Sequence, residues 1–442
     1  MKRHLPLLIA VGLLLLLGLT VPTMLQQSAG LKALQEGEAH FAKGSFTAAE
    51  QAYQKALQLL PQDPQPAKQL AALYQAWRYP EKGLSALEEA QARGATAESL
   101  LTLRLALLAE SGAWDEAAAA ARDSLQAAPQ SPETLSTLTE ALLQQGNCTE
   151  AQSAAARWRA AAPQDPAALR AWGVLALEEE REEAVQALCQ ADSGLCQALQ
   201  TGAPATLSLG QALIRQRQWA LAACTLEHAA ATAPASAEAY AWLGAALDAL
   251  DRDAEALPQL QQATDLAPDL SVGWLLLGTH YLNSGQLELS HQALLQAQQC
   301  DPGNPVIHLT IAAVLAAKGQ YDNIGKWTES ALQQAPEDPD VWKTVARFYL
   351  ERNLQQGDQP LKSAGRAVAL APEDPEAQLL LGWALLMSGD AQNALTPLEV
   401  VTAGPLAASG EAWHLHGMAL RALGREAEAL DAFTRAADLG YR

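Results

Sequence analysis

The chain has 442 residues, 49% of them hydrophobic but only 5% aromatic, and a formal net charge of −20 at pH 7. No basic stripe exists to track phosphates, which excludes nucleic acid as a partner, and an anionic membrane surface repels so acidic an exterior. β-Branched residues are sparse and Ala and Leu supply the packing, which argues against a sheet.

Lys2, Arg3 and His4 precede residues 5–25, an uncharged run. Such a run suffices for about 30 Å of helix, one bilayer core. A cleaved signal peptide is the competing reading, but Ser28-Ala29 preceded by Gln is a poor cleavage site, and no Cys closes the run. Residues 1–29 are therefore expected to be an uncleaved single-pass anchor. Positive flanks stay in the cytoplasm, so the rest of the chain is expected beyond the inner (plasma) membrane, in the periplasm or outside the cell.

After residue 30 the chain repeats. Pro61, Pro129, Pro163, Pro234, Pro268, Pro302, Pro336 and Pro372 are 34 residues apart, twice 34, or that spacing plus two or three. A period of this size is one supersecondary unit copied many times, each copy burying its neighbour's apolar face. In chain order, Gly37, Gly44, Phe46, Ala49, Tyr53 and Ala56 mark the first unit, Gly112, Trp114 and Ala117 the third, and Gly146 and Ala151 the fourth. Gly210, Trp219, Ala222 and Leu226 mark the sixth, and Gly244, Ala256 and Leu260 the seventh. The eighth is the clearest: Trp274-x2-Leu277-Gly278-x2-Tyr281, then Gly285, Leu294 and Ala297. Gly319, Gly382 with Leu398, and Trp413 with Gly424 and Phe433 carry the pattern to the end. Asp before Pro at 63–64, 165–166, 338–339 and 374–375 reads as an N-cap followed by Pro in the first helical turn.

These residues resemble the tetratricopeptide repeat, a helix–turn–helix motif with the pattern W-x2-L-G-x2-Y, A-x3-F, P. The resemblance implies an all-α, right-handed superhelical solenoid of about twelve repeats; the apolar run places one N-terminal transmembrane helix ahead of it. The phase gains three residues around 188–204 and two around 353–363. The first break is either a tolerated loop insertion or a joint between an N-terminal array, residues 30–200, and a C-terminal array, residues 201–442.

No catalytic, metal or cofactor constellation stands out. HExxH, CxxC, a phosphate loop and a Gly-x-Ser-x-Gly elbow are all missing from the sequence, so an enzyme is not expected. His414 and His416 are two apart and face different ways on a helix. Five cysteines leave at least one unpaired in an oxidising compartment. Cys189 and Cys196 bridge only if the helix between them ends near Ser193-Gly194; Cys148, Cys224 and Cys300 read as small helical residues.

In the family, the first helix of each repeat lines a concave groove. The resemblance places Leu275, Thr279 and Leu282 there in the eighth repeat, and Leu309, Ala313 and Ala316 in the ninth. It adds Lys343, Arg347 and Glu351, then Leu379, Trp383, Leu386 and Met387, then His414, Met418 and Arg421. An apolar strip beside a basic rung suits an amphipathic or extended peptide, with Trp383 and Met387 as its centre; the alternative is that this strip packs against a facing repeat. The Lys/Asn carboxylate clamp of some relatives does not occur on successive first helices. The last repeat leaves Leu430, Phe433, Ala437 and Leu439 without a following unit, an expected docking end for another protein or a second copy; the competing reading is that Gly440, Tyr441 and Arg442 fold back, with Tyr441 covering part of that face. The reading that emerges is a membrane-anchored scaffold for assembly, secretion or maturation of an envelope complex. The alternative is a stoichiometric structural subunit of a larger assembly.

Overall fold

The structure, a computed structural model, describes residues 5–199, 205–354, 358–404 and 406–441, with side chains from residue 24 onward except those of the omitted segments. Its helices follow one another as twelve helix–turn–helix units, and no strand occurs among the described residues. They are α1 (Leu5–Ala42) and α2 (Phe46–Leu59); α3 (Gln65–Ala76) and α4 (Pro80–Ala92); α5 (Ala97–Glu110) and α6 (Trp114–Ala127); α7 (Pro132–Gln144) and α8 (Cys148–Ala161). Then come α9 (Pro166–Leu175) and α10 (Arg181–Ala191) with an extra α11 (Ser193–Ala198); α12 (Ala205–Arg215) and α13 (Trp219–Thr232); α14 (Ala237–Asp248) and α15 (Asp253–Leu266). The series closes with α16 (Ser271–Asn283) and α17 (Leu287–Cys300); α18 (Pro305–Ala317) and α19 (Ile324–Gln334); α20 (Pro339–Glu351) and α21 (Gln359–Leu370); α22 (Pro375–Met387) and α23 (Ala391–Ala403); α24 (Gly410–Ala422) and α25 (Glu426–Asp438).

Local chemistry explains the units. The carboxylates of Asp165, Asp338 and Asp374 accept from the backbone N–H of Ala167, Asp340 and Glu376 at 2.9, 2.9 and 2.8 Å, each just ahead of a helix that opens on Pro. Gly285 joins α16 to α17 with φ +74°, and Arg217 and Asp251 hold the same turn position at +58° and +57° despite their side chains. Within a unit the helices approach closely. A Cβ on Gly278 would stand 2.6 Å from Leu294 Cγ. Between units, Leu294, Ile307, Ile311, Val314, Ile324, Val345 and Tyr349 form one continuous buried cluster. Trp274 and Trp342 pack on it, and their Nε1–H groups donate to the carbonyls of Pro268 and Pro336 at 2.9 Å. The period-setting prolines therefore also receive the indole of the next repeat.

The chain divides into two compact units. One comprises Met1–Ala120, Ala408–His414 and Leu430–Arg442; the other comprises Ala121–Ala407 and Leu415–Ala429. Residues 200–204, part of the expected joint, and 355–357, part of the second phase break, lie outside the described residues.

α1 runs without a break from the apolar segment into the first repeat, where a Cβ on Gly37 would collide with the Tyr53 ring. The expected anchor rests on residues 1–29; residues 1–4 and the side chains of 5–23 lie outside the described residues. Among the described residues, no helix is long and apolar enough to cross a membrane.

In the first unit, the C-terminal end packs within its own chain, with Tyr441 folded onto the last repeat as in the competing reading. Phe433 and Tyr441 pack against His414 with centroids 5.4 and 4.8 Å away. Trp77 Nε1–H donates to the Ala437 carbonyl at 2.8 Å. Thr47 donates its backbone N–H and its hydroxyl to Asp438 Oδ1 at 3.0 and 2.9 Å. The tail thus meets the first two repeats of its own chain, while Leu430 and Leu439 stay exposed.

Candidate protein-binding groove

In the second unit, α16, α18, α20 and α22 line a groove of about 730 Å³. Leu282, Leu309, Ala313 and Phe348 form its apolar floor, and the exposed Val306 stands at its edge. Lys343, Arg347, Glu351 and Glu376 form a charged rail. Of the residues expected at the site, Leu282, Leu309, Lys343 and Arg347 come together here, joined by Thr279, Ala313 and Glu351.

The rail is not a bare basic rung. Lys343 Nζ lies 2.6 Å from Asp374, 2.8 Å from Asp340 and 3.3 Å from Glu376. Burial works against its charge, yet these carboxylates more than offset that and hold the ammonium above its ordinary value. Burial likewise opposes the charge of Asp374, but Lys343 and the backbone N–H groups of Glu376 and Ala377 hold its carboxyl below the usual range. Arg347 reaches Glu376 at 3.3 Å and Glu351 at 3.6 Å. Carboxylates outnumber cations along the groove, so its field favours basic ligands.

The remaining expected site residues lie elsewhere. Leu275 is half-buried against the cluster around Tyr349. Leu379 is 2% exposed and belongs to the core. Trp383 packs on Ala346, Leu350, Ala364 and Leu380. Leu386 is half-buried. Met387 is exposed and lines a separate cleft of about 220 Å³ with Leu354, Asp358, Pro360 and Leu361.

The cysteines show what spacing alone missed. Asp192 adopts an extended conformation (φ −154°, ψ 112°), ending α10 and capping α11 through the N–H groups of Gly194 and Leu195. This break brings Cys189 and Cys196 to a Cα separation of 4.6 Å, and they are disulfide-bonded. Cys148 and Cys224, read from sequence as packing residues, form a second disulfide at a Cα separation of 5.8 Å. The reason is tertiary: α13 lies against α7 and α9, so its Cys224 meets the first residue of α8. Seventy-six residues separate the pair, and no local pattern announces it. Cys300 is free and exposed.

One His/Asp group gathers among the described residues: Asp248, Asp253 and His280, with ligand atoms within 4.8 Å of one another. His280 is buried, and its Nδ1 lies 2.6 Å from Asp248 Oδ1, a hydrogen-bond distance. His416 is half-buried, with Nδ1 3.4 Å from Thr402 Oγ1.

Three family profiles match the sequence, each described as the tetratricopeptide repeat. The first covers residues 108–172, the second 34–64, 207–271 and 345–408, and the third 410–439. Together they span more than half of the chain. Among solved structures, yeast Tom70 is similar at 16% identity, over 93% of this chain and 92% of that one, with a TM-score of 0.42. TTC0263, a thermophilic protein of Thermus thermophilus with the same type of repeat, is similar at 24% identity over 41% of this chain and 97% of its own (TM-score 0.37). The Cut9–Hcn1 hetero-tetramer of the APC/C gives 14% identity, 95% and 88% coverage and a TM-score of 0.41. No curated protein matches the sequence.

Proposed function

Because the chain belongs to the tetratricopeptide-repeat family, we propose that it is a scaffold that binds other proteins, holding a segment of its partner in the groove of repeats eight to eleven. The observation that carries this reading is the groove itself: about 730 Å³, apolar at its floor, and lined by four acids (Asp338, Asp340, Glu351 and Glu376) against three bases (Lys343, Arg347 and Arg352). Such a surface suits an amphipathic segment that buries apolar anchors and turns Lys or Arg toward Glu351 and Glu376. The scaffold acts beyond the cytoplasm, tethered by residues 1–29, in assembly or maturation of an envelope complex. Lys2 and Arg3 ahead of the apolar run support that placement. Two disulfides agree with it, since such bonds persist in oxidising compartments.

A photo-crosslinking residue placed at Val306 or Thr310 in the full chain should capture a partner in intact cells. A second substitution, Leu282→Glu, should abolish that capture at unchanged helicity. Capture that survives Leu282→Glu, or that occurs equally from a probe at Leu430, would remove the groove from consideration. Protease added outside the inner membrane should degrade the repeats; digestion only after lysis would overturn the placement.

A further inference from the structure

α14, α15 and α16 pack on one another where repeat seven meets repeat eight. Three side chains converge there from three helices: Asp248 at the end of α14, Asp253 at the start of α15 and His280 on α16. One ligand atom from each lies within 4.8 Å of the other two. His280 is 3% exposed, with Nδ1 2.6 Å from Asp248 Oδ1. Its Nε2 reaches no hydrogen-bond partner among the described residues. The carboxylates also lack a cation. Arg252, the residue before Asp253, turns Nε and one Nη to Glu255 at 2.8 and 2.7 Å. Among the described residues, no lysine or arginine pairs with Asp248 or Asp253. Carboxylates gathered this closely repel one another unless a positive charge comes between them.

We propose that Asp248, Asp253 and His280 bind one divalent transition-metal ion, zinc by preference, which fastens repeat seven to repeat eight. One imidazole nitrogen and two carboxylate oxygens make a three-ligand zinc site whose fourth position is left to water. Calcium and magnesium fit poorly, because they ask for about six or more oxygen ligands and the most deeply buried donor here is a nitrogen. Tetrahedral bonds of about 2.0–2.2 Å hold ligand atoms about 3.3–3.6 Å apart. The three donors therefore reach one ion once Asp248 and His280 part by about 0.7 Å, within the play of side-chain torsions. In the neutral ring, the proton shared between Nδ1 and Asp248 passes to Nε2, which has no other task. Asp253 is exposed and gives the ion its way in from solvent. Thr279, the residue before His280, lines the groove of repeats eight to eleven, so the ion would brace the first wall of that groove. The site needs no partner in the groove and stands whether or not a protein binds there.

The test is calorimetric titration of the full chain, held in mild detergent and stripped of metal with a chelator, with Zn²⁺, Mg²⁺ and Ca²⁺ as separate probes. Cys300→Ser is the background throughout, so that the free, exposed thiol takes no metal. One equivalent of Zn²⁺ is expected to bind saturably, at least about tenfold more weakly in Asp253→Asn and in His280→Gln, since the loss of even an outer-shell partner costs that much. Zn²⁺ should also raise the thermal unfolding midpoint of the parent and not that of Asp253→Asn, because a ligand of the folded state alone stabilises it. No saturable binding up to about 100 μM Zn²⁺, equal affinity in the parent and Asp253→Asn, or Ca²⁺ or Mg²⁺ binding as tightly as Zn²⁺ would each overturn the proposal and leave Asp248 and His280 as a hydrogen bond between repeats. If His280→Gln does not fold, Asp253→Asn decides it, since Asp253 is exposed and makes no hydrogen bond that the fold would lose.

Discussion

Repeats four to six and repeats eight to eleven are written in the same code, yet one presents its first helices to another helix and the other presents them as an open groove. In the former, α13 covers α7 and α9 and leaves about 350 Å³; in the latter, α16, α18, α20 and α22 frame about 730 Å³. The difference begins in the fifth repeat. Its helices are short, 10 and 11 residues, and the six-residue α11 is added before α12. Repeats eight, ten and eleven instead keep 12 to 14 residues per helix. A solenoid propagates each small change in rotation to every later unit. One irregular repeat therefore decides which stretch of groove is filled from within, and the Cys148–Cys224 bond fixes the result.

The largest expected effect comes from breaking that bond. Closing a loop of this length is worth about 4 kcal/mol in the chain-entropy picture, against about 2 kcal/mol for the short Cys189–Cys196 loop. Cys148→Ser should lower the unfolding midpoint clearly more than Cys196→Ser, as followed by circular dichroism in denaturant. Hydrogen exchange should rise in α13 and stay unchanged in α18 and α20. Equal destabilisation by the two substitutions, or loosening of the open groove, would show that the two regions do not differ in the way described.

A second test strikes the code that both regions share. Gly278→Val drives a branched side chain onto Leu294, whose Cγ is 2.6 Å from the added Cβ position. Overpacking of this kind costs about 1–3 kcal/mol. Gly210→Val, which meets Leu226 at 2.5 Å in repeat six, should cost as much, and with the disulfide intact it should not release α13. A free-energy loss in urea below about 0.5 kcal/mol at either site would refute the close approach.

Much of this was legible in sequence for physical reasons. The proline period, the Asp-Pro helix starts and the Gly278–Leu294 approach are local, and local chemistry is written in adjacent residues. Helix A faces were legible only in part. Leu282, Leu309, Lys343 and Arg347 reach the groove, but Trp383 turns into packing where the small Ala346 and Ala364 leave room for it, and Leu379 is buried in the core. The second disulfide and the coverage of α7 and α9 depend on rotation accumulated over several units, and no window of sequence contains that. Asp438 meeting Thr47, 391 residues away, is illegible for the same reason.

A smaller effect separates the two regions by pH. His308, on α18 behind the open groove, is 3% exposed with neither ring nitrogen reaching a hydrogen-bond partner. Burial depresses its pKa, outweighing the opposing pull of Asp301 and the Pro302 carbonyl. The unfolded chain therefore binds a proton more readily than the folded one. The resulting stability is complete above the unfolded value near 6.5 and is lost as pH falls below it toward the folded value. Burial, aided by Lys318, depresses His291 in the same direction. The urea midpoint should drop between pH 7.5 and 5.5, and His308→Leu should flatten that slope. A slope identical to that of the unmodified chain would mean that the imidazole finds a partner when charged.

The smallest expected effect concerns closure without a covalent bond. α2 begins at Phe46, and its preceding Ser45 makes no side-chain cap. Asp438 supplies one instead, accepting from the Thr47 N–H at the positive end of the helix. Trp77 does the reciprocal task at the other end of the contact, donating to Ala437 O among the last carbonyls of α25. Loss of a helix cap costs about 1 kcal/mol, so Asp438→Ala should weaken the first unit by that order. Asp438→Asn, which keeps an acceptor oxygen, should recover most of it. The contrast with Cys148–Cys224 lies in reversibility. A hydrogen-bonded closure should be screened in part by salt, whereas a disulfide is indifferent to it. Limited proteolysis of α25 in Asp438→Ala, compared at low and high ionic strength, reads this directly. Cleavage no faster than in the unmodified chain at either ionic strength would mean that packing of Phe433 and Tyr441 on His414 holds the tail and that the cap is incidental.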